Sequence, residues 1–268
     1  MIHFPDISPE IASFSLFGLD LHIRWYGFLY VLSFVLAYFL YRPLLRKKGI
    51  ELERDKYESA IFYVMLGVIL GGRLGYVLFY NFLYYLAHPL AIFAVWEGGM
   101  SFHGGALGVI VAGILFCRKN KLSFFALADP AMPIVAIGLA LGRLGNFINA
   151  ELWGKITTLP WGVVFPGAGG LPRHPTQIYE MLLEGLLLGI VSYLILRKNL
   201  KAGLGFWTFI GGYGLVRFLI EFVRVPDELS FYQDFGFILG FMSIGQFLSL
   251  LMIIASGIGI WFLYREKA

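Results

Sequence analysis

Three arginines stand where an apolar helix does not tolerate them. Arg73, Arg143 and Arg217 fall inside or at the edge of long apolar stretches, and an arginine at the centre of a membrane helix costs roughly 2.5–3.5 kcal/mol on insertion scales. Counted at about 1.5 Å per residue from the far ends of their stretches, Arg73 and Arg217 lie roughly 21 Å up and Arg143 roughly 26 Å up. All three fall in the same half of an apolar layer about 30 Å thick. Other polar residues accompany them. Tyr213, Arg217 and Glu221 are spaced four apart on one helical face, with Arg224 a turn later. Arg143 and Asn146 share another face, followed by Asn149 and Glu151. His103 opens a third stretch within Ser101-Phe102-His103-Gly104-Gly105, and Tyr26 opens the first. A guanidinium fork matches phosphate oxygens two at a time and keeps its charge. Fixed cations stabilise the charge that grows on a departing phosphate, and an imidazole can take a proton from an incoming nucleophile. Taken singly, each arginine has a plainer reading, in which it snorkels to the headgroups or pairs with a buried carboxylate.

The elements that must position these residues are membrane helices. The 268 residues are 59% hydrophobic and only 14% charged, with a mean hydropathy of +0.76. Soluble domains are about 25% charged and about 45–50% apolar. Seven stretches satisfy the length of a span, 25–41, 59–82, 100–117, 126–147, 177–196, 203–222 and 242–264. The third is the weakest, because Gly104, Gly105, Gly108 and Gly113 lower its helix propensity. An apolar piece at 89–96 suggests a short re-entrant or interfacial segment before it. Fourteen basic residues lie in alternate segments, around 42–56, 118–121, 197–201 and 265–267, against four (Arg24, Lys155, Arg173 and Arg224) on the opposite side. Basic loops stay in the cytoplasm, so the N-terminus is expected outside and the C-terminus inside.

This reading yields an all-α polytopic membrane protein with a single transmembrane domain, 1–268. The loops at 148–176 and 223–241 are expected to form a small outer cap, the first mostly irregular because of its glycines and prolines. Asp6, Glu10 and Asp20 precede the first basic residue, Arg24, which argues against a cleavable leader. The net charge of +4 is too small to argue for a nucleic-acid partner. The single cysteine, Cys117, excludes an internal disulfide and a cysteine metal site, and reads as a packing residue. The sequence has no G-x-S-x-G, H-E-x-x-H, Walker A or dinucleotide motif. From residue chemistry alone, the reading ends at an enzyme or transporter handling an anionic lipid headgroup. A transporter would carry polar residues through the full membrane depth. A structural subunit would give each arginine a fixed carboxylate partner, such as Glu221 for Arg217.

The stretch Gly142-Arg143-Leu144-Gly145-Asn146-Phe147-Ile148-Asn149-Ala150-Glu151-Leu152-Trp153-Gly154 resembles the signature G-R-x-G-N-F-x-N-x-E-x-x-G of prolipoprotein diacylglyceryl transferases. Supporting matches run along nearly the whole chain. They are Arg24-Trp25-Tyr26-Gly27, Gly71-Gly72-Arg73-Leu74-Gly75-Tyr76, Met100-Ser101-Phe102-His103-Gly104-Gly105, His174 to Glu180, Tyr213 to Glu221, and Gly245-Gln246. The resemblance implies transfer of a diacylglyceryl group from phosphatidylglycerol to the lipobox cysteine thiol of a preprolipoprotein, giving a thioether and glycerol 1-phosphate. It places the chain in the bacterial cytoplasmic membrane, with its site near the outer face, at the first step of lipoprotein maturation. Because the substrate supplies the nucleophile, no metal or cofactor is implied. By the same resemblance His103 is the candidate base, and Arg143 and Arg217 hold the phosphate. Tyr26, Arg73, Asn146, Glu151, Gly154, Tyr213 and Glu221 build or orient the site. The base assignment stays open, since His103 could instead hydrogen-bond the lipid and leave the proton to a carboxylate or water.

Overall fold

The computed structural model describes residues 2–16, 19–80, 82–94, 98–225 and 240–265. Most of the expected cap loop 223–241 lies outside the described residues. The chain divides into two compact units, Met1–Lys48 with Ala128–Ala268, and Gly49–Leu127.

Each expected span has a helical counterpart. These are α1 (Trp25–Lys47), α2 (Arg54–Tyr80), α4 (Phe102–Asn120), α5 (Phe124–Ile148), α6 (Thr176–Arg197), α7 (Leu204–Ile220) and α8 (Ile244–Arg265). Five of them, α1, α2, α5, α6 and α8, are long and apolar enough to cross a membrane. The chain is thus a multi-pass membrane protein, and about seven spans fit its helices. Pro43 in α1 and Pro130 and Pro133 in α5 stay within their helices, as membrane helices permit.

In the second unit α2 packs along α4, and the apolar piece between them folds as α3 (Phe82–Ala87) and a 3₁₀ turn at Pro89–Phe93. The glycines that weaken α4 as an isolated helix are the reason it packs. A Cβ on Gly67 would lie 2.6 Å from the Gly108 carbonyl oxygen, and one on Gly75 would lie 2.7 Å from Gly104 Cα. Gly71 and Gly104 are closer still. Small residues four apart let two membrane helices approach at backbone contact, where dispersion does what the hydrophobic effect cannot do in lipid. Gly108→Val is therefore expected to lower the thermal midpoint in detergent by about 5 °C or more. An unchanged midpoint would mean that this contact does not hold the pair.

The first unit begins with strands absent from the sequence reading. β1 (Ile2–His3) pairs parallel with β4 (Val163–Val164), and β2 (Glu10–Leu16) pairs antiparallel with β3 (Leu19–Arg24). Trp25 N–H donates to the Pro9 carbonyl at 3.1 Å, which ties the base of this hairpin to the start of α1. Val163, Phe165 and Ala168 form a small core with Phe4, Phe147, Ala150 and Trp153. Segment 148–176 is otherwise irregular, as its glycines and prolines predict.

Asp129 of α5 fixes the amino end of α7. It is 4% exposed, and its carboxylate accepts Gly203 N–H and Phe206 N–H, each at 2.8 Å. A neighbouring helix thus supplies the cap that Gly203, lacking a side chain, cannot. Close by in sequence, Lys47 Nζ donates to Tyr193 Oη at 2.6 Å, Lys48 Nζ to Asn199 Oδ1 at 3.2 Å and Lys201 Nζ to the Leu263 carbonyl at 2.5 Å. The basic ends of α1, α6 and α8 and the start of α7 therefore gather at one end of this unit.

Candidate active site

Arg143 and Arg217 lie toward the opposite ends of α5 and α7 from that basic rim, and one buried carboxylate joins them. Glu180, fully buried on α6, places Oε2 3.0 Å from Arg143 Nε and Oε1 2.5 Å from Arg217 Nη1. The Arg143 contact is an ion pair without hydrogen-bond alignment. Arg143 also reaches Glu184 Oε2 at 3.5 Å. Arg217 donates through Nη2 to Glu221 at 2.6 Å, on the shared face that the four-residue spacing predicts. Glu221 accepts Ser243 Oγ–H at 3.0 Å and lies 3.7 Å from Arg224. Gly245 makes room for that carboxylate, because a Cβ there would lie 2.6 Å from Glu221 Oε1. Tyr213, also buried, lies within electrostatic reach of Arg143, Arg217, Glu180 and Glu184.

Three arginines thus face three glutamates, a balance that makes such burial tolerable. Accessibility is uneven within the cluster. The side chains of Arg143 and Arg217 remain 15% and 12% exposed, whereas Glu180 and Glu184 are at 0%. Among these four residues, the accessible side-chain surface belongs to the arginines.

The carboxyl end of α5 is built around Glu151. The helix stops after Ile148, and Ala150 (φ 52°) and Leu152 (φ 60°) take left-handed backbone on either side of Glu151. This conformation is costly for a residue with a Cβ and persists only where surroundings enforce it. Glu151 N–H closes back onto the Asn146 carbonyl at 3.1 Å. Its side chain accepts Asn146 Nδ2–H at 2.8 Å and Asn149 Nδ2–H at 3.2 Å. Thr176 Oγ1 donates to the Leu152 carbonyl at 2.8 Å, and Gln177 Nε2 donates to the Glu151 carbonyl at 2.5 Å. Tyr26 packs on Gly145, where a Cβ would lie 2.8 Å from its ring.

Gly154 closes the segment. Its N–H donates to the His174 carbonyl at 2.8 Å, and Lys155 N–H donates to the Val223 carbonyl at 2.8 Å. Burial lowers the His174 pKa, and its Nδ1 lies 3.3 Å from Tyr179 Oη. Tyr179 in turn accepts Trp161 Nε1–H at 2.7 Å.

The second unit holds Arg73 and His103. Arg73, 3% exposed, directs its guanidinium at backbone carbonyls of the segment between α3 and α4. It donates to Ala91 at 2.6 Å, Ile92 at 2.9 Å and Gly99 at 3.2 Å, and also to Gly98. It also stacks over Tyr85 at 5.1 Å. These contacts use a buried arginine to pin irregular backbone. His103 is exposed in the first turn of α4, after Ser101, whose Oγ caps Gly104 N–H at 3.2 Å.

Fixed carboxylate partners on Arg143 and Arg217 are also what a purely structural subunit would show, so the ion-pair geometry alone does not decide the function. The sequence decides the family. A family model described as prolipoprotein diacylglyceryl transferase matches residues 13–263. The chain belongs to that family. It is 51% identical over 253 residues to a phosphatidylglycerol–prolipoprotein diacylglyceryl transferase of Geobacter sulfurreducens, covering 94% of each chain. It is 44% identical over 272 residues to the enzyme so named from Vibrio parahaemolyticus, covering all of this chain and 96% of that one. For the Shewanella relative of the same name, identity is 45%, with 99% and 98% covered.

Within this diacylglyceryl transferase family chain, the structure brings Arg143, Arg217, Glu221 and Tyr213 into one cluster and Asn146, Glu151, Gly154 and Tyr26 around the adjoining end of α5. Glu180, Glu184, Gln177 and Asp129 escape a reading that looks only for misplaced arginines. The signal was present. Glu180 and Glu184 are two carboxylates in an apolar span, and the rule that flags a membrane arginine flags them equally.

Proposed function

We propose that this chain transfers the diacylglyceryl group of phosphatidylglycerol to the lipobox cysteine thiol of a preprolipoprotein signal peptide. The substrate thiolate attacks the glyceryl carbon that bears the phosphate, a C–S bond forms, and the C–O bond breaks. The thiol proton passes to a base. Glycerol 1-phosphate leaves, gaining a negative charge as the diester becomes a monoester. That extra charge is the quantity a fixed pair of cations stabilises more in the transition state than in the ground state. The observation that carries the reading is the Arg143–Glu180–Arg217 cluster, in which the arginine side chains keep accessible surface and Glu180 has none, in a chain of this family.

His103 is the proposed base, since an ordinary cysteine thiol is largely protonated at neutral pH and an imidazole accepts its proton. Tyr26, Arg73, Asn146, Glu151, Gly154, Tyr213 and Glu221 are proposed to build or orient the site, Arg73 by holding the backbone before α4. The chain is proposed to be one transmembrane catalytic domain in the bacterial inner membrane. Its N-terminus and the loops 148–176 and 223–241 lie outside, the loops as a small cap, and its C-terminus is cytoplasmic. The gathering of Lys47, Lys48 and Lys201 at one end of the first unit supports that orientation.

Purified protein mixed with phosphatidylglycerol and a lipobox peptide is expected to give a diacylglyceryl mass gain with stoichiometric glycerol phosphate. His103→Gln is expected to lose most of that turnover. Neither product, under conditions where an established transferase yields both, would overturn the proposal. A reporter fused after Ala268 should read as cytoplasmic, and a periplasmic reading would overturn the orientation.

A further inference from the structure

Arg143 and Arg217 reach the same place from different helices, and two like charges side by side repel unless an anion lies between them. Glu180 is that anion. It is fully buried and directs one oxygen at each guanidinium, while the two arginine side chains keep some accessible surface. Each arginine also has a second carboxylate, Glu184 or Glu221, so charge neutralisation does not depend on Glu180 alone. Among the described residues, Glu180 alone is ion-paired directly to both.

We propose that Glu180 is a positioning residue, which sets the separation and direction of Arg143 and Arg217 so that the departing phosphate meets both. This deepens the transferase reading and rests on it. The site it serves is a phosphate monoester dianion in the course of formation. Misplacement of a charged group by about 1 Å can cost up to 10²-fold in rate, so the loss belongs to the transition state. Binding of the lipid follows different arithmetic. Replacing the carboxylate with an amide raises the net charge of the cluster by one, which does not weaken attraction for a phosphodiester.

The two quantities therefore separate. Glu180→Gln is expected to reduce kcat about 30-fold, while KM for phosphatidylglycerol stays within about threefold or falls. Glu180→Asp keeps the buried charge, which protects folding, but is one methylene too short to serve both arginines. It is expected to reduce kcat at least about tenfold with KM within about threefold and a thermal midpoint within a few degrees of wild type. This second variant decides the matter if Glu180→Gln does not fold. Wild-type kcat in folded Glu180→Asp, or a tenfold rise in KM at unchanged kcat in either variant, would overturn the assignment. Wild-type protein run in parallel separates the two proposals. If it makes no diacylglyceryl peptide, the transferase reading has failed. If it does so and the Glu180 variants match it, only the role of Glu180 has failed.

Discussion

Folded Arg143→Ala is expected to transfer at least about a thousandfold more slowly than wild type, about 4 kcal/mol of transition-state stabilisation. Arg143 enters the cluster from the last two turns of α5 and its side chain keeps some accessible surface, whereas its glutamate partners have none. On the proposed mechanism, this is the cation that an arriving phosphate meets. Alanine removes it and leaves Glu180 and Glu184 on the approach. The change subtracts one positive charge and uncovers two negative ones, and both effects oppose a leaving group that is gaining charge. Glu180 keeps Arg217, which limits the penalty of an unpaired buried carboxylate. The check is single-turnover rate per folded protein, with released glycerol phosphate and peptide mass as readouts. A folded variant within tenfold of wild type would mean that Arg143 only holds helices together.

The second large effect needs a single methyl group. Gly154→Ala is expected to reduce turnover by at least about a hundredfold. A Cβ at this position would lie 2.5 Å from the Val223 carbonyl oxygen, 2.7 Å from His174 Cβ and 2.9 Å from Thr176 Cγ2. Two of the three are backbone or backbone-bound atoms that cannot swing aside. Relief requires parting the 154–155 segment from His174 or from Val223, which breaks bonds of 2.8 Å on one side or the other. Thr176 and Gln177, which hold the carbonyls of Leu152 and Glu151, shift with that movement. So does Glu180, one helical turn beyond them. The methyl group thereby reaches the arginine pair through α6. Overpacking of this kind typically costs about 1–3 kcal/mol in stability, so the rate should fall further than the thermal midpoint suggests. Near-normal kcat in a folded Gly154→Ala protein would show that the segment tolerates displacement without disturbing the cluster.

Composition and pattern alone determine that this chain lives in a membrane, because 59% hydrophobic residues exceed what a soluble surface can hide and the bilayer imposes a span length. The same rule exposes Arg143 and Arg217, since a charge in an apolar run is expensive wherever the helix ends up. The i, i+4 relation of Arg217 and Glu221 is likewise a property of one helix, and the sequence contains it in full. The signature from Gly142 to Gly154 names the family without any coordinates. Contacts between elements are different, because they depend on which helices become neighbours, and spacing along one helix does not encode that. Glu180 bridges α5 and α7 from α6, and Asp129 of α5 caps the amino end of α7. Gly104 and Gly108 read as weak points in an isolated helix and become the packing surface once α2 lies against them. Gly154 carries no chemistry of its own, and only the folded chain puts Val223 and His174 where a methyl group would have to be. Arg73 resembles Arg143 in sequence, yet its guanidinium is taken up by four backbone carbonyls while Arg143 meets carboxylates, because tertiary structure decides which groups surround a buried cation.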